Sequence, residues 1–210
     1  MSADGAPDND HGPCPDCGLL YARGYAPDER YHRRVHDKAV NGCRANLANG
    51  SYPVTHESHI SLQKLAEAAA SAARWETKYD FSSFTAVRKK ADEYKTIAMI
   101  YIKDGRVCGL LVSRKRECAH TASLNSFQPD SFDSWRPTQV TEVQPHFRRA
   151  VDMIWVLKKN RKLGVAKGLI QTLAAQCGMK IEDFAHMIPF SEDAVHLWKA
   201  LKQSTIYVVA

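Results

Sequence analysis

Cys14 and Cys17 stand two residues apart, His32 and His36 three apart, and fourteen residues separate the pairs. A two-residue spacer lets one tight turn, Pro15-Asp16, aim both sulfurs at a common point, and histidines four positions apart share one face of a helix. Two thiolates and two imidazoles so arranged close a tetrahedron around Zn²⁺. About forty residues bury too little apolar surface to fold alone, so residues 14–41 are expected to form a C2H2-type zinc finger that needs its metal, or its neighbour, to be ordered. A base-reading finger has about twelve residues between its pairs and polar positions along its helix. The longer spacer and the lone copy favour a structural or protein-docking finger, with Arg33 and Arg34 as the side chains able to meet phosphate.

A second constellation is Arg161-Lys162-Leu163-Gly164-Val165-Ala166, preceded by Lys158, Lys159 and Asn160. A glycine and a small residue let a diphosphate approach the backbone, the first N–H groups of a helix from about Leu163 to Ala166 point outward unpaired, and the helix dipole favours an anion. Arg161 and Lys162 add formal positive charge. Basic turns of this kind open many helices, so the weight comes from their place directly after an apolar strand, Val151–Leu157. Two carboxylates stand near. Asp152 lies two residues before Ile154, which predicts the same strand face as Ile154 and Val156, and Glu192 follows the next parallel strand. The two are expected to flank one cleft, where either could accept a proton.

The elements that must position these groups are legible in outline. Residues 1–13, rich in Asp, Gly and Pro, read as a disordered tail, residues 42–55 as a linker, and residues 56–210 as one further domain. Leu62, Leu65, Ala66, Ala69 and Ala73 fall at helical spacing, predicting a helix over Ser61–Trp75. Thr96–Ile102 and Val107–Ser113 are β-rich runs joined through Asp104-Gly105, a hairpin signal. Glu117–Arg149 shows no clear period and reads as a long surface excursion. Then follow a strand at Val151–Leu157, a helix at Val165–Gln176 ending near Gly178, a strand at Phe184–Pro189, a helix at Asp193–Lys202 and a strand at Thr205–Val209. Strand, helix, strand with short connections is a βαβ unit with parallel strands. The fold class is α/β, antiparallel in front and parallel behind.

With 210 residues, 44% of them hydrophobic and 25% charged, the chain fits one moderate domain plus a small appendage. No apolar run approaches the length of a membrane span, and Met1–Gly5 is polar, so no membrane partner is expected and the protein reads as intracellular, in cytoplasm, nucleoid or nucleus. Beyond the two zinc cysteines, Cys43, Cys108, Cys118 and Cys177 are widely spaced, which suits a reduced compartment. A net charge of +6 suits an acidic partner: a nucleotide cofactor, an acidic protein surface or nucleic acid. The clusters Arg33-Arg34, Arg88-Lys89-Lys90 and Arg114-Lys115-Arg116 carry a second reading, a nucleic-acid-associated binding module or chromatin-linked protein whose catalytic half is degenerate.

The R-x-x-G-x-A segment after an apolar strand, behind a hairpin and ahead of strand, helix and strand, resembles the GNAT acetyltransferase fold, which binds acetyl-CoA at this loop. Joined to Cys14-Pro15-Asp16-Cys17-Gly18-Leu19-Leu20-Tyr21, Pro27-Asp28-Glu29, His32 and His36, it is similar to the cohesin-establishing lysine acetyltransferases. Their strand carries Ile-Trp-Val ahead of the loop, matched by Ile154-Trp155-Val156, and a later Phe-Ser-Asp closes the site, matched by Phe190-Ser191-Glu192. The resemblance implies an acetyl-CoA-dependent transfer to a lysine of a protein substrate, a structural Zn²⁺, cofactor contacts at Ile154, Trp155, Val156 and Arg161 through Ala166, and catalytic positions at Asp152, Ser191 and Glu192. It covers the finger and roughly the last sixty residues. Asp152 replaces a family serine, Glu192 an aspartate, and Asp193-Ala194-Val195 a Pro-Thr-Pro run. In that family the acceptor is a pair of lysines on a cohesin subunit; for this chain another protein or amine stays open.

Overall fold

The computed structural model describes residues 11–77, 95–130, 134–141, 143–144 and 148–209. β1 (His11–Pro13) and β2 (Leu20–Ala22) form a small hairpin, followed by α1 (Ala26–Asn41), β3 (Cys43–Arg44), β4 (Gly50–Val54) and α2 (Ile60–Thr77). The long hairpin β5 (Ile97–Lys103) and β6 (Arg106–Arg116) comes next, then β7 (Ala119–Ser123), β8 (Phe127–Pro129), β9 (Trp135–Pro137), β10 (Val143–Gln144) and β11 (Arg148–Val156). α3 (Val165–Cys177), β12 (Ala185–Met187), α4 (Glu192–Ala200) and β13 (Thr205–Val209) complete the order. The main sheet runs β10-β7-β13-β12-β11-β6-β5-β4, with β3 on β6.

β5 and β6 are apolar without interruption because both faces of the sheet are covered. Ala98, Ile100, Leu110 and Val112 face α2, whose alanines Ala66, Ala69, Ala70 and Ala73 permit a close approach. Met99 and Leu111 face α3, joining Leu169, Ile170 and Leu173. At Gly109 a Cβ would lie 2.7 Å from Val165 Cγ1 and 3.1 Å from Leu169 Cδ1, so the missing side chain is what lets the start of α3 seat on β6.

The sequence reading holds for the hairpin and the parallel β11–β12 pair, and three stretches correct it. The expected linker contains β3, paired with β6, and β4, paired with β5 from Gly50↔Ile102 to Val54↔Ala98. Gly50 and Pro53 disguise that strand, and Pro53 is tolerated because β4 is an edge. The expected excursion contains β7, which pairs with β10 and, from far along the chain, with β13. His120-Thr121 carries little apolar pattern because its partner, not its periodicity, fixes it. Of the expected tail, residues 11–13 form β1 on β2. Among the described residues no helix is long and apolar enough to cross a membrane.

Candidate functional site

The four ligand atoms of Cys14, Cys17, His32 and His36 lie within 4.8 Å of one another. Gly18, at φ +71°, turns the chain after the second cysteine, closing the knuckle with Gly18 N–H on Cys14 O at 2.8 Å and Cys14 N–H on Leu19 O at 2.9 Å. α1 starts with Pro27 in its first turn, and Asp28 and Glu29 accept from the Ala22 and Gly24 N–H groups, tying the hairpin to the helix. Tyr21 stacks on His32 at 4.0 Å. Burial pushes the Cys14 thiol up, but the N–H groups of Cys17 and Asp16 and the His32 and His36 rings outweigh it and hold it at about 6. His32 Nε2 is buried without a hydrogen-bond partner. A thiol poised to ionise and an orphaned imidazole nitrogen, converging with two more donors, fit Zn²⁺.

The finger is seated on the rest of the chain. Asp37 of α1 accepts two bonds at 3.1 Å from Arg106, which holds its carboxyl below the ordinary range, and Arg106 also donates to Gly42 O at 2.9 Å. The Trp75 indole N–H of α2 reaches Cys17 O at 2.9 Å.

The second site is built from backbone. β11 pairs with β12 only at Ala150↔Ala185 and Val151↔His186, although β11 runs on to Val156. Beyond that rung the parallel ladder ends, and among the described residues no strand pairs with the far edge of Met153–Val156, where Arg161 reaches the Val156 carbonyl. The chain then turns through Lys158–Gly164 into α3, with Lys162 at φ +62° and Gly164 at φ +79°. Gly164 caps α3 without a side-chain hydrogen bond, and a Cβ there would meet nothing within 4 Å. The first N–H groups of α3 therefore face outward in the way an anion requires. Lys158, Lys159, Lys162, Leu163 and Lys167 are exposed around the turn, while Val165 is buried on Gly109 and Ala166 packs toward the α3-side core. Arg161 differs from expectation: its guanidinium is turned inward to Glu76 and lies 3.6 Å from Asp193, while its Nε donates to Val156 O at 3.0 Å. Ile154 packs toward α3, and Trp155 is buried with its indole N–H on Glu76 at 2.7 Å.

The two carboxylates do not share the expected cleft wall. A β-bulge falls between Val151 and Met153, so Asp152 is the extra residue and the strict alternation that would place it with Ile154 and Val156 breaks. It meets Arg114 at 2.9 Å and Arg116 at 3.2 Å, on the strand face that Leu110 and Val112 present to α2. Its side chain is 7% exposed, and burial lifts its carboxyl above the usual range against the pull of the Arg116 and Arg114 guanidiniums. Two of the arginines read as a nucleic-acid patch are thus committed to an internal ion pair; Arg88-Lys89-Lys90 lies outside the described residues. Ser191 is the N-cap of α4, accepting from Ala194 N–H at 3.2 Å, and Glu192 in the first turn is exposed, 3.6 Å from His196. Phe190 before them is paired with Trp135 of β9 and stacked on Phe127 at 4.9 Å, so the β8–β9 hairpin closes over this strand end.

Sequence reasoning missed Glu76, Trp75, Asp193 and Gly109. Only Gly109 left a signal, a glycine inside a strand, which marks a close approach.

Residues 5–38 match the family model of the zinc-finger of acetyl-transferase ESCO. No curated protein matches the chain. Among solved structures, the xEco2 acetyltransferase domain bound to a CoA conjugate is similar with a TM-score of 0.61 and 16% identity, over 79% of this chain and 95% of that one. A second structure of the xEco2 acetyltransferase domain gives 0.60 and 15%, over 80% and 97%. An aminoglycoside antibiotic 6'-N-acetyltransferase from Acinetobacter haemolyticus gives 0.43 and 19%, over 77% and 95%. The expected fold is the one found: a segment similar to the zinc-finger of acetyl-transferase ESCO precedes a GNAT-like α/β fold similar to that of the xEco2 acetyltransferase domain.

Proposed function

We propose that the chain is an acetyl-CoA-dependent N-acetyltransferase that acetylates lysine side chains of a protein, with Zn²⁺ in a structural role. The observation that carries this reading is the parting of β11 from β12 beyond Val151, directly ahead of a glycine-capped helix start with open N–H groups. A solved xEco2 domain of the same fold is bound to a CoA conjugate, which supports the choice of co-substrate.

In this reading the N–H groups from Gly164 through Lys167 hold the diphosphate, helped by the helix dipole and by Lys162 and Lys158. The open edge of Ile154-Trp155-Val156 receives the thioester arm, and one backbone N–H there polarises the carbonyl oxygen. The acceptor amine, with an ordinary pKa of about 10.4, must shed a proton before it attacks. Glu192, exposed at the start of α4 and 3.6 Å from His196, receives that proton. As the amine nitrogen bonds the carbonyl carbon the C–S bond breaks, and the thiolate leaves to be protonated. Asp152, clamped by two arginines, holds the bulge in shape and orders the strand rather than exchanging protons.

The test is calorimetry of acetyl-CoA with the zinc-loaded full chain, beside a Gly164→Glu variant. Binding weakened about a hundredfold or more in the variant is expected, since the new carboxylate and a strained φ would both meet the diphosphate site. Mass spectrometry should then find acetyl-lysine, first on the protein's own lysines. No binding by the unaltered chain sinks the enzyme reading, and transfer confined to small amines sinks the protein acceptor.

A further inference from the structure

One carboxylate outside the expected site touches both halves of it. Glu76, in the last turn of α2, has a side chain 14% exposed, and each of its oxygens has a separate task. Oε2 accepts the indole N–H of Trp155 at 2.7 Å, in the strand with the open edge, and Oε1 accepts from Arg161, at the start of the phosphate turn. Arg161 in turn donates to Val156 O at 3.0 Å, so strand, turn and helix close into a ring of charge-assisted hydrogen bonds. The preceding residue, Trp75, donates its indole N–H to Cys17 O in the metal knuckle at 2.9 Å. A second bridge runs from Lys159 of the turn to Asn41 at the end of α1, at 3.1 Å. Two adjacent side chains of one helical turn thus hold the zinc knuckle and the acetyl-CoA site.

We propose that Glu76 is a positioning residue of the acetyl-CoA site, and that the Trp75-Glu76 turn couples zinc binding in the finger to acetyl-CoA binding at residues 154–166. The proposal rests on the acetyltransferase reading above for its ligand, while the mechanical link between finger and turn stands without it. Glu76 does not meet the co-substrate. It ties the Arg161 guanidinium back toward α2 and fixes Trp155, so the backbone N–H groups are already placed when the diphosphate arrives. Coupling of this kind is reciprocal: whatever factor zinc adds to acetyl-CoA affinity, acetyl-CoA adds to zinc affinity.

The experiment uses the zinc-loaded full chain and its Glu76→Ala, Glu76→Gln and Trp75→Phe variants, each checked for zinc content and melting temperature. Calorimetry should show acetyl-CoA affinity down by about tenfold in Glu76→Ala, the loss of one charge-assisted pair. Glu76→Gln, which still accepts from Trp155, should recover part of it, and Trp75→Phe should lose about threefold with zinc stoichiometry unchanged. Affinity unchanged or tighter in Glu76→Ala, with Arg161 then free to reach the diphosphate, overturns the positioning role. Amide hydrogen exchange across residues 155–166 gives a readout that needs no acetyl-CoA: it should quicken in Trp75→Phe and on chelation of zinc. Unchanged exchange in both overturns the coupling. Faster exchange in a chain that binds no acetyl-CoA keeps the coupling and defeats only the acetyltransferase reading.

Discussion

The zinc finger and the phosphate turn are held by opposite means. In the finger, four side chains converge on one point in a segment whose helix α1 buries no residue of its own, so the metal site stands in for a core. In the turn, the working groups are backbone N–H, the one arginine is folded back onto Glu76, and the glycine at the cap has open space where a side chain would be. The first can be destroyed by removing a side chain and the second by adding one. The largest effect should therefore come from the finger: His36→Ala, or chelation, should release zinc and unfold residues 11–41, since structural zinc contributes about 10–16 kcal/mol in isolated fingers. Metal analysis with hydrogen exchange checks it, and the body of α3 beyond its first turn should stay protected while α1 exchanges freely. A finger that stays protected without metal would erase the contrast.

The same contrast divides the two carboxylates. Asp152 sits between two guanidiniums with a 7% exposed side chain, and Glu192 lies in the first turn of α4 with a 69% exposed one. Asp152→Ala strands two arginine charges beside the core and should cost about 3–5 kcal/mol of stability by denaturant unfolding. Glu192→Gln should leave stability within about 0.5 kcal/mol and lower the transfer rate by about a hundredfold or more if it takes the acceptor's proton. The reverse pattern, with Asp152→Asn stable and inactive, would move the base to the bulge.

How much was legible follows the same line. The finger's ligands were read directly, because metal chemistry fixes residue types and spacing. The hairpin and the parallel unit were read from apolar runs joined by Asp-Gly or by a helix. The site's acid-base geometry was not legible, because a bulge adds one residue to β11 and no local pattern announces it; Asp152 changes face as a result. β4 and β7 escaped because their partners supply what their own sequences lack. Gly109 shows a signal of intermediate strength, and it can be tested: Gly109→Ala places a Cβ 2.7 Å from Val165 Cγ1, and overpacking there should cost about 1–3 kcal/mol. Because α3 starts at Val165, acetyl-CoA affinity should fall along with the melting temperature, whereas Gly168→Ala, in open space inside the same helix, should leave the affinity unchanged and raise stability by about 0.5–1 kcal/mol.

Two buried histidine nitrogens sharpen the comparison at its finest scale. His32 Nε2 and His186 Nδ1 both lack partners, yet the first lies among metal donors and the second lies against Trp198 at 4.0 Å, with Phe190 beyond. A metal answers the first. Among the described residues nothing polar answers the second, and burial holds the His186 ring neutral, its pKa driven down to about 3. An unfolded chain takes up that proton near the ordinary 6.5, so between 6.5 and about 3 the unfolded state binds more protons than the folded one and stability falls on acidification. Once the unfolded ring is fully charged, the loss approaches about 1.4 kcal/mol per pH unit. Carboxylates and the zinc ligands bend the same curve, so the quantity to read is the difference between the unaltered chain and His186→Phe, followed by denaturant unfolding from pH 7 to pH 5. The stability of the unaltered chain relative to the variant should fall as pH falls, because the variant has no ring to protonate. Parallel curves would mean that His186 finds a proton-sharing partner within the fold, and the two orphaned nitrogens would then be alike after all.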